Sequence, residues 1–365
     1  MSRHNQTPDN RCMPLVEWPA QDQAAWQAAL APAGFLEAAG VAAAWAPGGQ
    51  RMIIDAYGRW LTWLSRTGQL DARSAPQERV TRERVAAYAE ALATSNAPMT
   101  VQGRIGQLGR AMRALAPEEE WGWLSRAGDR LRALAIPVRQ KRPRMQESQA
   151  LVELGLSLMQ RARATDDHFA IQRAALYRDG LMIALLAHRP LRRRTFAAIT
   201  LGRHLIQSDK GWWLIFAPGD TKTKQPLEMP FPETLVTDLE LYLEEYRPVL
   251  LKGKSKPGVV RPATAALWIA KGGAMMGASA ISVQIAFHTR AAFGAPINPH
   301  LFRDCAATSI AIQDPEHVRM VLPILGNTAL STSERHYNQA RTLEAARRYQ
   351  HDIAQLRRES AAPKQ

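Results

Sequence analysis

The residues with the clearest chemical potential lie between Asn298 and Tyr337. Asn298 and Pro299 suit the N-cap and first position of a helix, so His300 and Arg303 project from one face near its N-terminus. A helix N-terminus, a guanidinium and an imidazole together can hold a phosphate. Tyr337, 34 residues after Arg303, can supply a nucleophile. A His-x-x-Arg pair also arises by chance in many helices, so the rest of the chain decides whether this stretch is a site.

Charge and cysteine content restrict the partners and cofactors. The chain has 365 residues, and 47 Lys and Arg residues against 33 Asp and Glu residues give a net charge of +14. This excess favours a polyanion, most simply nucleic acid, although a high-GC genome also produces Arg-rich proteins. Only Cys12 and Cys305 are present, and no Cys/His cluster has the spacing of zinc ligands. We therefore expect no metal, a reducing cytoplasm, and Cys305 as a small buried residue.

Two further classes are disfavoured by the sequence. The polar N-terminus lacks the apolar segment of a signal peptide, and no apolar run approaches the ~20 residues that span a bilayer. The basic loop at residues 252–258 lacks the spacing of a phosphate-binding P-loop and follows no strand. We expect neither a membrane partner nor a nucleotide cofactor.

The first part of the chain predicts a helical bundle. Residues 1–20 are polar and predicted to be poorly ordered, and residues 21–136 show only helical patterns. Four helices are predicted at residues 51–65, 81–94, from Thr100 onward, and 123–135. The third helix places Arg104, Arg110 and Arg113 on the face opposite its apolar residues. These arginines either form a solvated surface or contact phosphate groups.

A basic segment then separates this bundle from a second domain. Residues 137–146 contain two prolines and few apolar residues, which predicts an extended linker. Its cations can follow a duplex backbone or only make a soluble tether. They are Arg139, Lys141, Arg142 and Arg144.

The second domain, residues 147–340, mixes helices with a few strands. Helices are predicted at residues 147–162, 166–187, 232–251 and 279–293, with a short strand and turn at 268–274. Three strands at 203–206, 211–216 and 227–230 predict a small antiparallel sheet, with Lys222 and Lys224 on one of its loops. The fold class is thus mainly α with a small antiparallel β-sheet. Residues 341–365 form a tail with an amphipathic helical pattern that docks on its own domain or on a neighbouring subunit.

Taken in order, Arg192, Lys222, His300-x-x-Arg303 and Tyr337 resemble the motifs of the tyrosine recombinases, the phage integrase family. The segment at residues 190–199 is similar to the Gly-Leu-Arg box of that family, and Lys222 precedes a strand-closing proline by eight residues. Leu325-Gly-Asn327 resembles the Leu-Gly-His box. The resemblance covers residues 170–340. Asn327 replaces the usual His, and Thr195 stands where an acidic residue often follows the first arginine.

The resemblance implies a helical DNA core-binding domain before an α+β catalytic domain. Tyr337 would be the nucleophile, Arg192 and Arg303 would bind phosphate oxygens, His300 would be a base or relay, Lys222 would protonate the leaving oxygen, and Asn327 would donate a hydrogen bond. No cofactor is needed. The implied partners are double-stranded DNA with specific recombination sites, a homo-tetramer on that DNA, and accessory DNA-bending proteins or sister recombinases, in the bacterial cytoplasm and at the nucleoid.

Several alternatives stay open at this point. Arg193 or Arg194 can replace Arg192 as the first arginine, and Lys224 competes with Lys222. The activity would serve the integration, excision or transposition of a mobile element. A non-cleaving DNA-binding regulator of the same fold, a type IB topoisomerase and a telomere resolvase are the rival functions.

Overall fold

The structure is a computed structural model that describes residues 12–136, 141–164, 169–253 and 264–313, apart from the side chains of Arg142 and residues 311–313. The chain divides into two compact units, one up to residue 140 and one from Lys141 onward. Helices predominate, and the strands form a three-stranded sheet in the second unit. The predicted fold class is confirmed.

The regular elements described in the first unit are all helices, joined by loops. A 3-10 turn at Leu15–Glu17 precedes the helices, which are numbered in chain order as α1 Ala20–Leu30, α2 Pro47–Arg66, α3 Pro76–Arg79, α4 Arg82–Ala93, α5 Pro98–Leu115 and α6 Gly122–Leu134.

Two expectations for this unit were wrong. Residues 12–20 are not a poorly ordered segment, because Trp18 is buried and its indole Nε1 donates a hydrogen bond to the carbonyl of Met13. Helix α5 begins at Pro98 with Ala97 as its N-cap, so Thr100 lies inside the helix. Pro98 suits the first helical position because its fixed φ matches the helix and its missing N–H would have no partner there.

A buried charged cluster joins three elements of the first unit. Arg79 and Asp22 are both fully buried, and Arg79 Nη1 lies 2.6 Å from Asp22 Oδ1. The hydroxyl of Tyr57 donates to the same carboxylate oxygen, and Arg79 Nε donates to the carbonyl of Asp71. Burial of two charges is tolerated only where hydrogen bonds satisfy them, as they do here.

The second unit contains the remaining helices and the sheet. Its helices are α7 Ser148–Arg163, α8 Ala170–His188, α9 Arg193–Ala197, α10 Val236–Leu241, α11 Arg247–Lys252, α12 Ala278–Phe293 and α13 Pro299–Gln313. Helix α8 is buried on all sides over most of its length. Gly155 and Gly180 let α7 and α8 cross in backbone contact, because a Cβ at Gly180 would lie 2.6 Å from the carbonyl oxygen of Gly155.

The helix predicted at residues 232–251 contains an irregular turn. A 3-10 turn at Glu233–Leu235 leads into α10, and a π-helical turn at Tyr242–Tyr246 joins α10 to α11. Pro248 follows this turn and has no N–H to donate to the carbonyl four residues earlier. A single wide turn accommodates that loss without ending the helical path.

The sheet has the order β1–β2–β3, with strands Leu205–Ser208, Gly211–Phe216 and Leu227–Pro230, all antiparallel. The first strand was predicted at 203–206 and lies two residues later. Residues 200–204 form a turn in which Gly202 has a φ of +73° and His204 N–H donates to the carbonyl of Thr200. The shift therefore removes Arg203 and His204 from the strand and places them in the turn.

Several predicted features fall outside the described residues, namely Arg139, Asn327, Tyr337 and the tail at 341–365. Over the ranges that the structure does describe, none of the helices has the length and apolar character needed to cross a membrane.

We predict that Asp22→Asn destabilises the first unit strongly, because it leaves the buried Arg79 guanidinium without its counter-charge. Breaking a buried pair in this way costs about 3–5 kcal/mol. Denaturant unfolding followed by tryptophan fluorescence measures this loss. The control is Asp129→Asn on the exposed surface of α6, expected to change stability by less than about 0.5 kcal/mol. Equal effects of the two substitutions would contradict the prediction.

Candidate active site

The N-terminus of α13 has the predicted cap. Asn298 Oδ1 accepts hydrogen bonds from the backbone N–H groups of His300 and Leu301, each 3.1 Å long, and Pro299 occupies the first helical position. The side chain thus satisfies two N–H groups that have no partner within the helix. Cys305 is buried two residues after Arg303, as expected.

Arg303 is held beneath the surface, with 7 % of its side chain exposed. Its Nη1 donates a 2.6 Å hydrogen bond to the carbonyl of Pro190. Pro190 lies two residues before Arg192, so this bond joins α13 to the chain segment that carries the first arginine of the predicted site.

Arg192 occupies the N-cap position of α9 with an extended backbone and is half-buried, whereas Arg193 and Arg194 are exposed. The short helix α9 is anchored from below, because the indole Nε1 of Trp268 donates to the carbonyl of Phe196 and the two rings stack with centroids 5.0 Å apart. Of the three arginines, Arg192 is the half-buried one, and its charge acts on Arg303.

The two arginines influence each other electrostatically. Burial lowers the pKa of Arg303 to about 10, the charge of Arg192 acts in the same direction, and Asp304 opposes both. Burial also lowers the pKa of Arg192. Both groups still carry a proton at neutral pH, so two positive charges are held together. An anion between them would relieve their repulsion.

His300 lies at the surface beside these cations. Burial of its ring lowers its pKa, Asp304 opposes this shift, and Lys141, Arg303 and Arg192 each add to the lowering. The imidazole is consequently neutral near pH 7 and able to accept a proton. His300 and Arg303 lie on one helix, as their spacing predicted, and the charge of Arg192 acts on both of them.

The end of the basic segment is docked on α13, which corrects the expectation of an extended linker over residues 137–146 for its described part. Lys141 Nζ lies 2.8 Å from Asp304 Oδ2. Arg144 donates from Nε and Nη2 to the carbonyl of Pro296, and Ser148 N–H donates to Ser309 Oγ. Lys141 therefore belongs to the surroundings of His300, and Arg144 is engaged within the protein.

Lys222 lies exposed on the turn between β2 and β3. This turn is tied to the helix behind Arg192, because Thr195 Oγ1 donates a 3.3 Å hydrogen bond to the main-chain carbonyl of Asp220. The alternative lysine, Lys224, is also exposed, and its backbone φ of +53° is uncommon for a residue other than glycine. Both lysines lie on the turn that Thr195 connects to α9.

The three arginines of α5 have different neighbours. Arg104 is half-buried, and burial lowers its pKa while Tyr88 opposes the shift. Arg110 lies over the ring of Trp45 at 5.3 Å, and Arg113 donates to Ser125. Because each residue contacts a different element, the face suggested by the sequence is divided among three neighbours.

Sequence reasoning missed two carboxylates of the site. Asp304 pairs with Lys141, which is distant in sequence and gave no pattern to follow. Asp220 follows Pro218-Gly219, and its side chain accepts a hydrogen bond from the backbone N–H of Ala217. Aspartate commonly makes such bonds in turns, so the turn sequence could have indicated this contact. Asp304 directly follows Arg303 in the chain, and Asp220 precedes Lys222 by two residues.

The architecture of these units is the tyrosine recombinase fold, and three solved structures share it. The XerH site-specific recombinase bound to difH substrate before cleavage has a TM-score of 0.51 and 14 % identity, covering 82 % of this chain and 79 % of its own. The post-cleavage complex of XerH with palindromic difH substrate has a TM-score of 0.50 and 14 % identity, and the match covers 82 % of this chain and 79 % of XerH. A lambda integrase(75–356) dimer bound to a COC′ core site has a TM-score of 0.52 and 13 % identity, and the match covers 81 % of this chain and 91 % of the integrase chain.

No protein-family model matches the sequence, and no curated protein is significantly similar to it. The likeness to the three structures therefore establishes the fold.

We predict that the pKa of His300 lies below 6.5 and rises in Lys141→Met. The lysine charge disfavours the imidazolium and neutralises Asp304, so its removal makes protonation easier. Histidine NMR titration measures both values. Lys210→Met, on the exposed turn between β1 and β2, removes the same charge elsewhere and should leave the His300 midpoint unchanged. A midpoint that does not respond to Lys141→Met would contradict this electrostatic arrangement.

Proposed function

We propose that this protein is a site-specific DNA recombinase that cuts and rejoins DNA strands through a 3′-phosphotyrosyl intermediate. The observation that supports this most is the convergence of Arg192, Arg303 and a neutral His300 at the N-terminus of α13. Two guanidinium groups match the two non-bridging oxygens of a phosphodiester, and a neutral imidazole can take a proton.

The proposed chemistry follows from the charge of the substrate. A phosphodiester is negative and repels nucleophiles, and more charge builds on its oxygens as a fifth bond forms. Arg192 and Arg303 would stabilise that charge, with Asn327 as an additional hydrogen-bond donor. Both arginines stay protonated because the pKa of Arg303, although lowered, is about 10.

Tyr337 would be the nucleophile. Its oxygen forms a bond to phosphorus while the bond from phosphorus to the 5′-oxygen breaks, and the tyrosyl proton passes to His300. A tyrosine of pKa ~10 needs such a base near neutral pH. Lys222 would give its proton to the departing 5′-oxygen. The 5′-hydroxyl of a partner strand then reverses the step, so no metal or nucleotide is consumed.

The proposed partner is double-stranded DNA carrying specific recombination sites. The net charge of +14 supports a polyanionic partner, and so do the bound recombination sites in the three solved structures described above. Exchange between two duplexes requires four cleavages, which favours a homo-tetramer in which the tail at 341–365 docks on a neighbouring protomer. The helical unit and residues 137–146 would contact the duplex through Arg139, Lys141 and Arg142.

In the cell, this activity would act at the bacterial nucleoid in the integration, excision or transposition of a mobile element, with accessory DNA-bending proteins or sister recombinases. A non-cleaving regulator is the second candidate, because Thr195 and Asn327 depart from the motifs of the family that the chain resembles. A type IB topoisomerase would relax any supercoiled DNA, whereas a recombinase requires its site.

We predict a covalent protein–DNA adduct on a nicked suicide duplex that carries the end sequences of the element encoding the protein, identified by searching the DNA that flanks the gene for inverted repeats. The nick lets the cleaved strand end diffuse away, so the phosphotyrosyl intermediate accumulates. Denaturing gel electrophoresis detects the adduct, and Tyr337→Phe should abolish it, whereas Tyr349→Phe should retain it. Sequence-specific binding without any adduct would support the regulator and contradict the enzyme.

We predict that Arg303→Ala lowers the rate of adduct formation by about 10²–10³-fold, the usual loss for one donor to a developing negative charge. Single-turnover cleavage at saturating protein measures this rate apart from DNA affinity. Arg290→Ala removes one positive charge from the exposed C-terminal turn of α12 and should leave the rate within about twofold, since screened surface charges contribute little. Equal rates for the two variants would remove Arg303 from the chemistry.

A further inference from the structure

Asp220 joins three elements around the turn that carries Lys222. Its Oδ1 lies 2.8 Å from Arg203 Nη2, and its Oδ2 accepts from the N–H of Ala217 at 3.2 Å and lies 3.3 Å from His204 Nε2. Burial acts to raise the pKa of this carboxyl, but the Ala217 N–H, Arg203 and His204 together lower it. Asp220 is therefore ionised at neutral pH and holds the start of the turn against the segment before β1.

His204 is buried beside Asp220 and Phe216. It is 3 % exposed, and among the described residues its ring nitrogens make no aligned hydrogen bond. The ring stacks on Phe216, the last residue of β2, with centroids 5.3 Å apart. The stacked ring fills the space between β2 and Asp220, with His204 Nε2 3.3 Å from Asp220 Oδ2.

The main chain of Asp220 makes the connection to the arginine side of the site. Its carbonyl accepts the hydroxyl of Thr195, which is 6 % exposed on α9, three residues after Arg192. Thr221 Oγ1 then donates a 2.7 Å hydrogen bond to the carbonyl of Gln225 and closes the turn around Lys222. The backbone of Lys222 is thus fixed relative to α9 by a short chain of bonds that passes through Asp220.

We propose that Asp220 is a positioning residue for Lys222, and that the bond from Thr195 to its carbonyl sets where the lysine ammonium is presented to the phosphate site. The inference rests on the proposed function, in which Lys222 protonates the leaving 5′-oxygen. Lysine has a long and flexible side chain, so its use as a proton donor depends on a fixed backbone. Thr195 supplies this connection where the related motif usually has an acidic residue.

The test compares two leaving groups in the same nicked duplex. An alcohol oxygen needs a proton as it departs, whereas a thiolate, with a pKa of about 8.5, leaves without one. A substrate with sulfur in place of the bridging 5′-oxygen therefore bypasses the lysine. Asp220→Asn keeps the size of the side chain but removes its charge, and Thr195→Val removes only the hydroxyl.

We expect both variants to slow cleavage of the oxygen substrate by at least about 10-fold, within the ~10²–10⁴-fold that a general acid contributes. Cleavage of the sulfur substrate should stay within about twofold of the unaltered protein, as it should in Lys222→Ala. The control is Asp238→Asn on α10, another ion-paired carboxylate, which binds Arg163 and Tyr177. Asp238→Asn should change the cleavage rates of the oxygen and sulfur substrates by the same factor.

The outcomes separate this inference from the proposed function. Equal losses on both substrates, or no loss on either, would overturn the positioning role while leaving the enzyme intact. No cleavage of either substrate by the unaltered protein would contradict the proposed function itself. Hydrogen–deuterium exchange tests the same bonds without DNA: Thr195→Val should speed exchange at the amides of residues 217–226, and an unchanged turn would overturn the inference.

Discussion

The constraint on which the second unit depends is the enclosure of the Arg303 guanidinium beside that of Arg192. Burial lowers the pKa of Arg303 to about 10, and repulsion by the charge of Arg192 acts in the same direction. The fold offsets these effects with a carbonyl, since Pro190 accepts from Arg303, and with Asp304 one residue further along α13. Asp304 is itself paired with Lys141. The arrangement has the electrostatic character of a site that receives an anion.

The surrounding elements keep the start of α13 in one place. Thr289 Oγ1 accepts from the N–H of Ile297, and the guanidinium of Arg144 binds the carbonyl of Pro296. The side chain of Asn298 then caps the helix. These contacts come from α12, from the end of the basic segment and from the helix itself, and they fix the backbone from which His300 and Arg303 project. A change in any of them would alter the separation of the two arginines.

The sequence allowed the local parts of this arrangement to be predicted. The cap at Asn298, the His300–Arg303 spacing and the burial of Cys305 depend on periodicity and on neighbours in the chain, and all three are confirmed. Arg192 was selected from three adjacent arginines by resemblance, and the structure supports that choice through burial and through its effect on Arg303.

Contacts between distant residues could not be predicted in the same way. Residues 137–146 were predicted to be a linker, but Lys141 pairs with Asp304 on α13 and Arg144 binds the carbonyl of Pro296 just before that helix. Basic residues next to prolines do not indicate which acid or carbonyl they will contact. The shift of β1 arose from the turn at Gly202, which alternation of apolar residues does not reveal. The catalytic roles of Arg192, His300, Arg303, Lys222, Asn327 and Tyr337 are proposals that the experiments above test.

The central claim is that Arg192 and Arg303 bind one phosphate between them. A crystal structure of Tyr337→Phe bound to an uncleaved duplex tests it directly, because this variant retains both arginines and lacks the nucleophilic oxygen. We predict that the non-bridging oxygens of a single phosphate accept hydrogen bonds from both guanidinium groups, with His300 on the same phosphate. Arginines that contact different phosphates, or a duplex bound away from the N-terminus of α13, would contradict the claim.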